Sequence, residues 1–170
     1  MKPTNMRIQI EKLQKSDIPD LVKYGNDRQI WLNVSDNYPY PYTFDDGLAF
    51  FEQSTDKHIF SIKNNDVFVG IIDLRPRSGI DRITAEIGYW VASEFAGQGI
   101  GTKAVELIVE YGFANIPELL KIYARVFHTN PASMRVLEKA GFVKEGVLKK
   151  SCIKENQIID LHHFSIFRKD

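Results

Sequence analysis

The chain has 170 residues, of which 44% are hydrophobic and 26% are charged, a composition typical of one soluble globular domain spanning 1–170. Its 22 basic and 22 acidic residues cancel, so the overall charge does not indicate a chain that coats nucleic acid or an anionic membrane, and any basic patch would have to be local. A single cysteine, Cys152, excludes an internal disulfide, and the polar Met1–Arg7 segment with no apolar run of membrane-spanning length predicts a cytoplasmic protein.

The first part of the chain predicts one strand and two helices around an aromatic loop. Alternating apolar residues indicate a strand over Arg7–Leu13, and Ser16-Asp17 can cap the helix that follows. The segment Trp31–Phe44, WLNVSDNYPYPYTF, concentrates aromatic residues and prolines, and Thr43 can cap the second helix. We expect an ordered loop whose rings either pack on the domain or line a substrate pocket; the composition leaves both interpretations open.

Three strand-like runs follow, separated by turn residues. They cover His58–Lys63, Val67–Leu74 and Ile83–Ala92, and their short connections predict an antiparallel meander. In the third run, strand alternation places Glu86 and Trp90 on the same face.

A glycine-rich loop, Gly97–Thr102 (GQGIGT), joins the third run to the most regular helical pattern of the chain. Apolar residues at helical spacing predict a helix from Ile100 through Tyr111. Leu119–Phe127 then predicts a buried strand parallel to the third run, because a helical crossover joins the two.

The last part of the chain predicts one more helix and two strands. Asn130 can cap the helix, with Pro131 in its first turn, and Gly141 ends it. The segments Phe142–Ser151 and Ile158–Phe167 have the composition of strands. The predicted fold is mixed α/β, with a central sheet of about seven strands, mostly antiparallel and partly parallel, flanked by about four helices.

The glycine loop has the chemistry of an anion site. Backbone N–H groups at a helix start have no carbonyl partner, the helix dipole is positive there, and alternate glycines let a pyrophosphate approach. A nucleoside-triphosphatase loop needs lysine before the Ser or Thr, whereas Thr102 precedes Lys103 here. A dinucleotide site needs GxGxxG and an acidic residue at the end of the next strand, where this chain has His128. A glycine turn that binds nothing remains the alternative.

Two motifs in this order resemble the GNAT N-acetyltransferase superfamily. They are EIGYWVASEFAGQGIG, from Glu86 to Gly101, and the later HTNPASMRVLEKAGF. With the YPYPYT loop, the resemblance points to the RimJ/RimL-like branch, which includes ribosomal-protein amino-terminal acetyltransferases. One departure from the family pattern is Ala96, where Gln or Arg is common.

The resemblance implies acetyl-CoA as cosubstrate and assigns residues to it and to the acceptor. The implied cofactor-binding residues are Val91, Ala92, Gln98, Gly99, Ile100, Gly101, Thr102, Asn130 and Ser133. The residues that we expect to line the acceptor pocket are Trp31, Tyr38, Tyr40 and Trp90.

Amine acetylation requires a neutral amine, so a proton must leave before or during attack. Glu86 is the candidate base, and its alternative role is to pair with a nearby cation or a loop N–H. Many members of the family carry a tyrosine acid where this chain has Leu137, so Ser133 is the candidate donor to the departing thiolate, against a purely structural role in the first helical turn. Arg125 could contact the substrate or a CoA phosphate; its alternative role is to form a structural ion pair.

The predicted function is acetyl-CoA-dependent N-acetylation of a primary amine, on a protein N-terminus or a small molecule. The alternative is an acyl-CoA-binding sensor or interaction module without catalysis. Because His162 and His163 point to opposite faces of a strand, we expect no metal site. We expect no nucleic-acid or membrane partner, and the oligomeric state is open, with a homodimer among the options.

Overall fold

A seven-stranded sheet runs through the computed structural model, which describes residues 6–170. The strands, in chain order, are β1 Ile8–Lys12, β2 His58–Asn64, β3 Val67–Pro76, β4 Thr84–Val91, β5 Lys121–Phe127, β6 Val143–Lys154 and β7 Gln157–Phe167. The helices are α1 Ile18–Gly25, α2 Arg28–Trp31, α3 Phe44–Ser54, α4 Ile100–Asn115 and α5 Pro131–Lys139. The strands lie side by side in the order β1-β2-β3-β4-β5-β7-β6.

The sheet confirms the predicted mixed α/β class. Strands β1 to β4 form an antiparallel meander, β4 and β5 pair in parallel, and β7 pairs antiparallel with both β5 and β6. Among the described residues there are five α-helices rather than about four, because the single turn α2 was not predicted. Thr43 caps α3 as predicted: its hydroxyl accepts from the Asp46 N–H, and the Asp46 carboxylate accepts from the Thr43 N–H.

Each face of the sheet carries its own apolar core. On one face, α4 and α5 pack over β3, β4 and β5, with Ile72, Ile87 and Ile108 fully or almost fully buried. On the other face, α1 and the aromatic loop pack over β3, burying Leu21 and Phe68. Successive residues of β4 therefore point into different surroundings, and this alternation organises the site.

No helix within residues 6–170 is both long and apolar enough to span a membrane. The first five residues of the Met1–Arg7 segment, whose polar character supported the localisation prediction, lie outside the described residues.

Candidate active site

The parallel strands β4 and β5 pair along only part of their lengths. Three residue pairs join them, from Thr84 with Lys121 to Glu86 with Tyr123. Strand β4 continues to Val91 and β5 to Phe127 without further pairing. A gap therefore opens between the carboxyl ends of these two neighbouring strands, which is where ligands bind in parallel sheets.

The edge of β4 along this gap presents unpaired backbone groups. The Ala92 N–H donates to the Val69 carbonyl on the β3 side, 2.8 Å away. Because backbone groups alternate sides along a strand, Tyr89 and Val91 direct their N–H and C=O groups toward β5. Val91, predicted to contact the cofactor, thus has its backbone on the gap, whereas the Ala92 N–H is already bonded.

The glycine loop has the conformation that an anion site requires. Gly97 and Gly99 have φ angles of 75° and 81°, in the left-handed region that favours glycine. Gly99 occupies the N-cap position of α4 without a side-chain cap, and a Cβ added there would meet no atom within 4 Å. The Lys103 N–H donates to the Gly99 carbonyl, so the N–H groups before it have no partner within the helix. The loop is exposed and open around these donors.

The start of α5 lies beside this loop. The Asn130 side chain caps α5, because its Oδ1 accepts from the Ser133 N–H at 3.2 Å. The Ser133 hydroxyl lies 2.7 Å from the Tyr89 hydroxyl. A Cβ added at Gly101 would lie 3.5 Å from Val136 and 3.9 Å from Tyr89, so β4, α4 and α5 converge at this point. The structure thus brings Ser133 and Asn130 to the glycine loop.

Glu86 lies on the opposite face of β4 and is held by Arg125. The guanidinium donates from Nε to Oε1 at 2.8 Å and from Nη2 to Oε2 at 3.0 Å, a two-point ion pair. The hydrogen bonds to Glu86 raise the pKa of Arg125 above its ordinary value. The structure therefore shows Glu86 and Arg125 in an ion pair, which was the alternative role given to each of them. It leaves the other lone pairs of the carboxylate open, so the role of Glu86 as a base stays a prediction.

A second carboxylate on the Glu86 face was not predicted. Asp73 stands opposite Gly88 in the β3–β4 register, and Arg75 Nε lies 3.0 Å from its Oδ1. Burial raises the pKa of Asp73 above its ordinary value, against the opposing effect of Arg75. Strand alternation places Asp73 on this face, but only the strand register shows which residue of β4 it meets.

The four rings predicted to line the acceptor pocket form two groups. Trp31 and Tyr40 are neighbours, with ring centroids 5.6 Å apart. Tyr38 donates its hydroxyl to the Gly25 carbonyl at 2.8 Å, and a Cβ at Gly25 would lie 3.7 Å from the Trp90 ring. Tyr38 and Trp90 therefore lie on the same side of the sheet as Glu86, and Trp31 and Tyr40 form the second group.

Residues at the turn between β6 and β7 contact the aromatic loop and α2, although they are distant from both in the sequence. The Lys154 ammonium lies 3.9 Å from the centroid of the Trp31 ring and 2.8 Å from Asp36. Arg28 donates to both carboxylate oxygens of Glu155 at 2.7 and 2.9 Å. No sequence pattern signals these contacts.

The tyrosine acid of many related enzymes is absent from its usual position. Leu137 is fully buried in the core between the sheet and the helices, where it serves packing. Ser133 and Tyr89 are two hydroxyl-bearing residues that lie against each other on the glycine-loop side of the gap.

Comparison with known proteins identifies the family. The model of the acetyltransferase (GNAT) domain matches residues 7–143. A probable N-acetyltransferase, YjcK, from Bacillus subtilis (strain 168) is 47% identical over 79 residues, which are 46% of this chain and 42% of the relative, so the match spans less than half of that protein. A ribosomal-protein-serine acetyltransferase from Escherichia coli (strain K12) is 26% identical over 151 residues, covering 85% of this chain and 83% of the relative.

A solved structure shares the whole fold. It is a spermidine N-acetyltransferase from Vibrio cholerae in complex with CoA and spermine, with a TM-score of 0.79 and 24% identity over 94% of this chain and 95% of the other.

Proposed function

Because the chain belongs to the acetyltransferase (GNAT) domain family, we propose that residues 1–170 form one acetyltransferase domain that transfers an acetyl group from acetyl-CoA to a primary amine. The observation that carries this proposal is the gap between β4 and β5, which opens beside a glycine loop with free N–H donors. The loop suits the pyrophosphate of the cofactor, and the gap suits the arm that carries the acetyl group.

The cofactor would contact residues on three elements around the gap. We assign the pyrophosphate to the backbone of the loop and the first turn of α4: Gln98, Gly99, Ile100, Gly101 and Thr102. The β4 edge at Val91 and Ala92 would hold the pantetheine arm, and Asn130 and Ser133 would face it from α5. The exposed loop and the open space around Gly99 support this assignment.

In the proposed reaction, the amine nitrogen attacks the thioester carbonyl carbon, the carbon–sulfur bond breaks, and CoA leaves as a thiolate. The Val91 N–H, directed toward the gap, would stabilise the oxyanion of the tetrahedral intermediate. Glu86 would accept the proton of the amine directly or through water. Ser133 would donate a hydrogen bond to the thiolate. The two side chains are on opposite faces of β4, so the amine and the cofactor would approach from opposite sides.

The charges on the acceptor side favour an amine with a single positive charge, such as a protein N-terminus. Glu86, Asp36 and Glu155 each lie in an ion pair, with Arg125, Lys154 and Arg28 respectively. A polyamine carries several positive charges and needs several carboxylates free to receive them. Trp31, Tyr38, Tyr40 and Trp90 would instead contact the apolar part of the acceptor.

One observation favours a second candidate function, an acyl-CoA-binding sensor without catalysis. Glu86 is already neutralised by Arg125, and the usual tyrosine acid is replaced by buried Leu137. Both candidates predict cofactor binding, and turnover separates them.

A matched pair of glycine variants tests the cofactor site. Gly99→Ala places a Cβ where the pyrophosphate would lie, and we expect acetyl-CoA affinity by calorimetry to fall at least about tenfold. Gly79→Ala is the control, because Gly79 also has a positive φ of 66° and open space around it, but lies in the β3–β4 connection. Both variants carry a similar backbone strain of about 1–2 kcal/mol, because alanine is disfavoured in the left-handed region. Equal affinity in the two variants would contradict the site.

An acceptor panel tests the activity. We expect CoA release from acetyl-CoA with peptides that have a free amino terminus, faster than with spermidine at equal concentration. Mass spectrometry of the products locates the acetyl group. Tight acetyl-CoA binding without turnover on either class of amine would favour the sensor.

A further inference from the structure

Tyr89, within the first of the two motifs, is the side chain that contacts the Ser133 hydroxyl. It lies on β4, on the face that carries α4 and α5, and is half-buried. Its hydroxyl oxygen lies 2.7 Å from Ser133 Oγ and 3.2 Å from the Ser133 carbonyl oxygen, and its one proton can be donated to either of them. Among the described residues, Tyr89 is the one side chain hydrogen-bonded to the Ser133 hydroxyl. Ser133 is therefore held at its hydroxyl by Tyr89 and at its N–H by the Asn130 cap.

The direction of the bond between the two hydroxyls decides what Ser133 can do. A phenol is a stronger acid than an aliphatic alcohol, so Tyr89 is the better donor of the two hydroxyls. The contact of Tyr89 with Oγ is shorter than its contact with the Ser133 carbonyl oxygen, so we assign the one Tyr89 proton to Oγ. When Tyr89 donates to Ser133 Oγ, the Ser133 proton is free to point elsewhere. When Ser133 donates, its proton is occupied and cannot serve a ligand.

Tyr89 also keeps its proton at every pH at which the protein would work. Burial raises the pKa of Tyr89 to about 12, while the bond with Ser133 opposes the rise. Loss of the phenol proton thus does not compete with its role as a donor near neutral pH.

We propose that Tyr89 is a positioning residue that orients the Ser133 hydroxyl so that its proton points into the gap, toward the sulfur of the departing CoA. This inference rests on the proposed function, because it needs CoA in the gap. No proton moves between the two residues. When the carbon–sulfur bond breaks, the electron pair goes to sulfur, and the thiolate accepts a hydrogen bond from Ser133 and later takes a proton from solvent.

A double-mutant cycle tests whether Tyr89 acts through Ser133. We expect Ser133→Ala to lower kcat by about a hundredfold, as for loss of a donor to developing negative charge. Tyr89→Phe should lower kcat by about five- to tenfold, with little change in the KM for acetyl-CoA. In the Ser133→Ala background, Tyr89→Phe should have no further effect. Equal losses in both backgrounds would overturn the inference.

Tyr111→Phe is the matched control for loss of a partly buried tyrosine hydroxyl. Tyr111 lies on α4, and its hydroxyl is 2.9 Å from His58 Nδ1, on the β2 side of the sheet. This variant should keep the parent kcat. If it lost as much activity as Tyr89→Phe, general destabilisation would explain both results.

A measurement without turnover separates the inference from the proposed function. The ultraviolet absorbance of the thiolate, taken as the difference between CoA-bound and free protein, reports the pKa of the bound CoA thiol. We expect this pKa to lie below that of free CoA in the parent, to rise in both Tyr89→Phe and Ser133→Ala, and to stay low in Tyr111→Phe. If CoA binds and titrates in this way but no amine is acetylated, the proposed function fails and the inference stands. An unchanged thiol pKa in Tyr89→Phe overturns the inference alone, and failure of the parent to bind CoA overturns both.

Discussion

Removal of Glu86 and removal of Arg125 from their ion pair should lower the free energy of unfolding by different amounts. The Glu86 side chain is 9% exposed, whereas the Arg125 side chain is 44% exposed. Glu86→Gln leaves a guanidinium that water can reach, so we expect a loss of about 1–2 kcal/mol in the free energy of unfolding. Arg125→Met leaves a buried carboxylate without its cation, and we expect about 3 kcal/mol, the low end for a broken buried pair.

Thermal unfolding measures this difference directly. For a chain of this size, 1 kcal/mol shifts Tm by about 2–4 °C, so Arg125→Met should unfold well below Glu86→Gln. The double variant removes both charges and should be more stable than Arg125→Met alone. Arg82→Met is the control, because Arg82 pairs with Glu118 at 3.3 Å while both side chains are more than half exposed, and its loss should stay within about 0.5 kcal/mol. A loss in Glu86→Gln equal to or greater than that in Arg125→Met would refute the reasoning.

Two further variants test the close approach of strands and the pH dependence of stability. In Gly70→Ala, the added Cβ would overlap the Trp90 carbonyl oxygen, so we expect a loss of about 1–3 kcal/mol in urea unfolding and weaker acetyl-CoA binding as the end of β4 shifts. Burial lowers the pKa of His58 below 6.5, so the unfolded chain binds more protons below about that pH and stability falls as the pH decreases. In His58→Gln this part of the acid loss should disappear, which urea unfolding at about pH 7.5 and 5.5 measures.

Each of these two predictions, for Gly70→Ala and for His58→Gln, has an outcome that would contradict it. Gly146 is the control for Gly70, because a Cβ added there meets no atom within 4 Å, and a Gly70→Ala variant as stable as Gly146→Ala would contradict the close strand approach. An unchanged acid dependence in His58→Gln would assign the effect to His162 and His163, whose pKa values burial also lowers.

The sequence predicts the strand–loop–helix unit around the proposed cofactor site closely, because the signals of that unit are local. Alternation sets the faces of β4, observed over Thr84–Val91, and the glycines and apolar spacing place the start of α4 at Ile100 as predicted. The turn α2 escaped prediction because four residues are too few to show helical periodicity, although Asp27 caps it by accepting from the Gln29 N–H.

The contacts that complete the site depend on register and on distant parts of the chain. Alternation can place Glu86 and Arg125 on faces of their own strands, but the parallel register that joins them is set by packing of the crossover helix. Lys154 reaches Asp36 across 118 positions of sequence, and no periodicity encodes that contact. Tyr89 was visible in the motif, but its partner Ser133 is known only from the packing of α5 against β4.

The gap and the glycine loop together favour the proposed acyl-CoA over a simpler phosphate ligand. Unpaired backbone groups at Tyr89 and Val91 cost free energy unless water or a ligand bonds them. A nucleoside diphosphate would use the loop and leave this strand edge unpaired, whereas the amide-bearing arm of CoA can bond to it as a further strand would. The acetyl group would then lie between Ser133 on one face of the sheet and Glu86 on the other. Strand β4 thus serves both halves of the proposed reaction, because alternate residues along it face the cofactor and the acceptor.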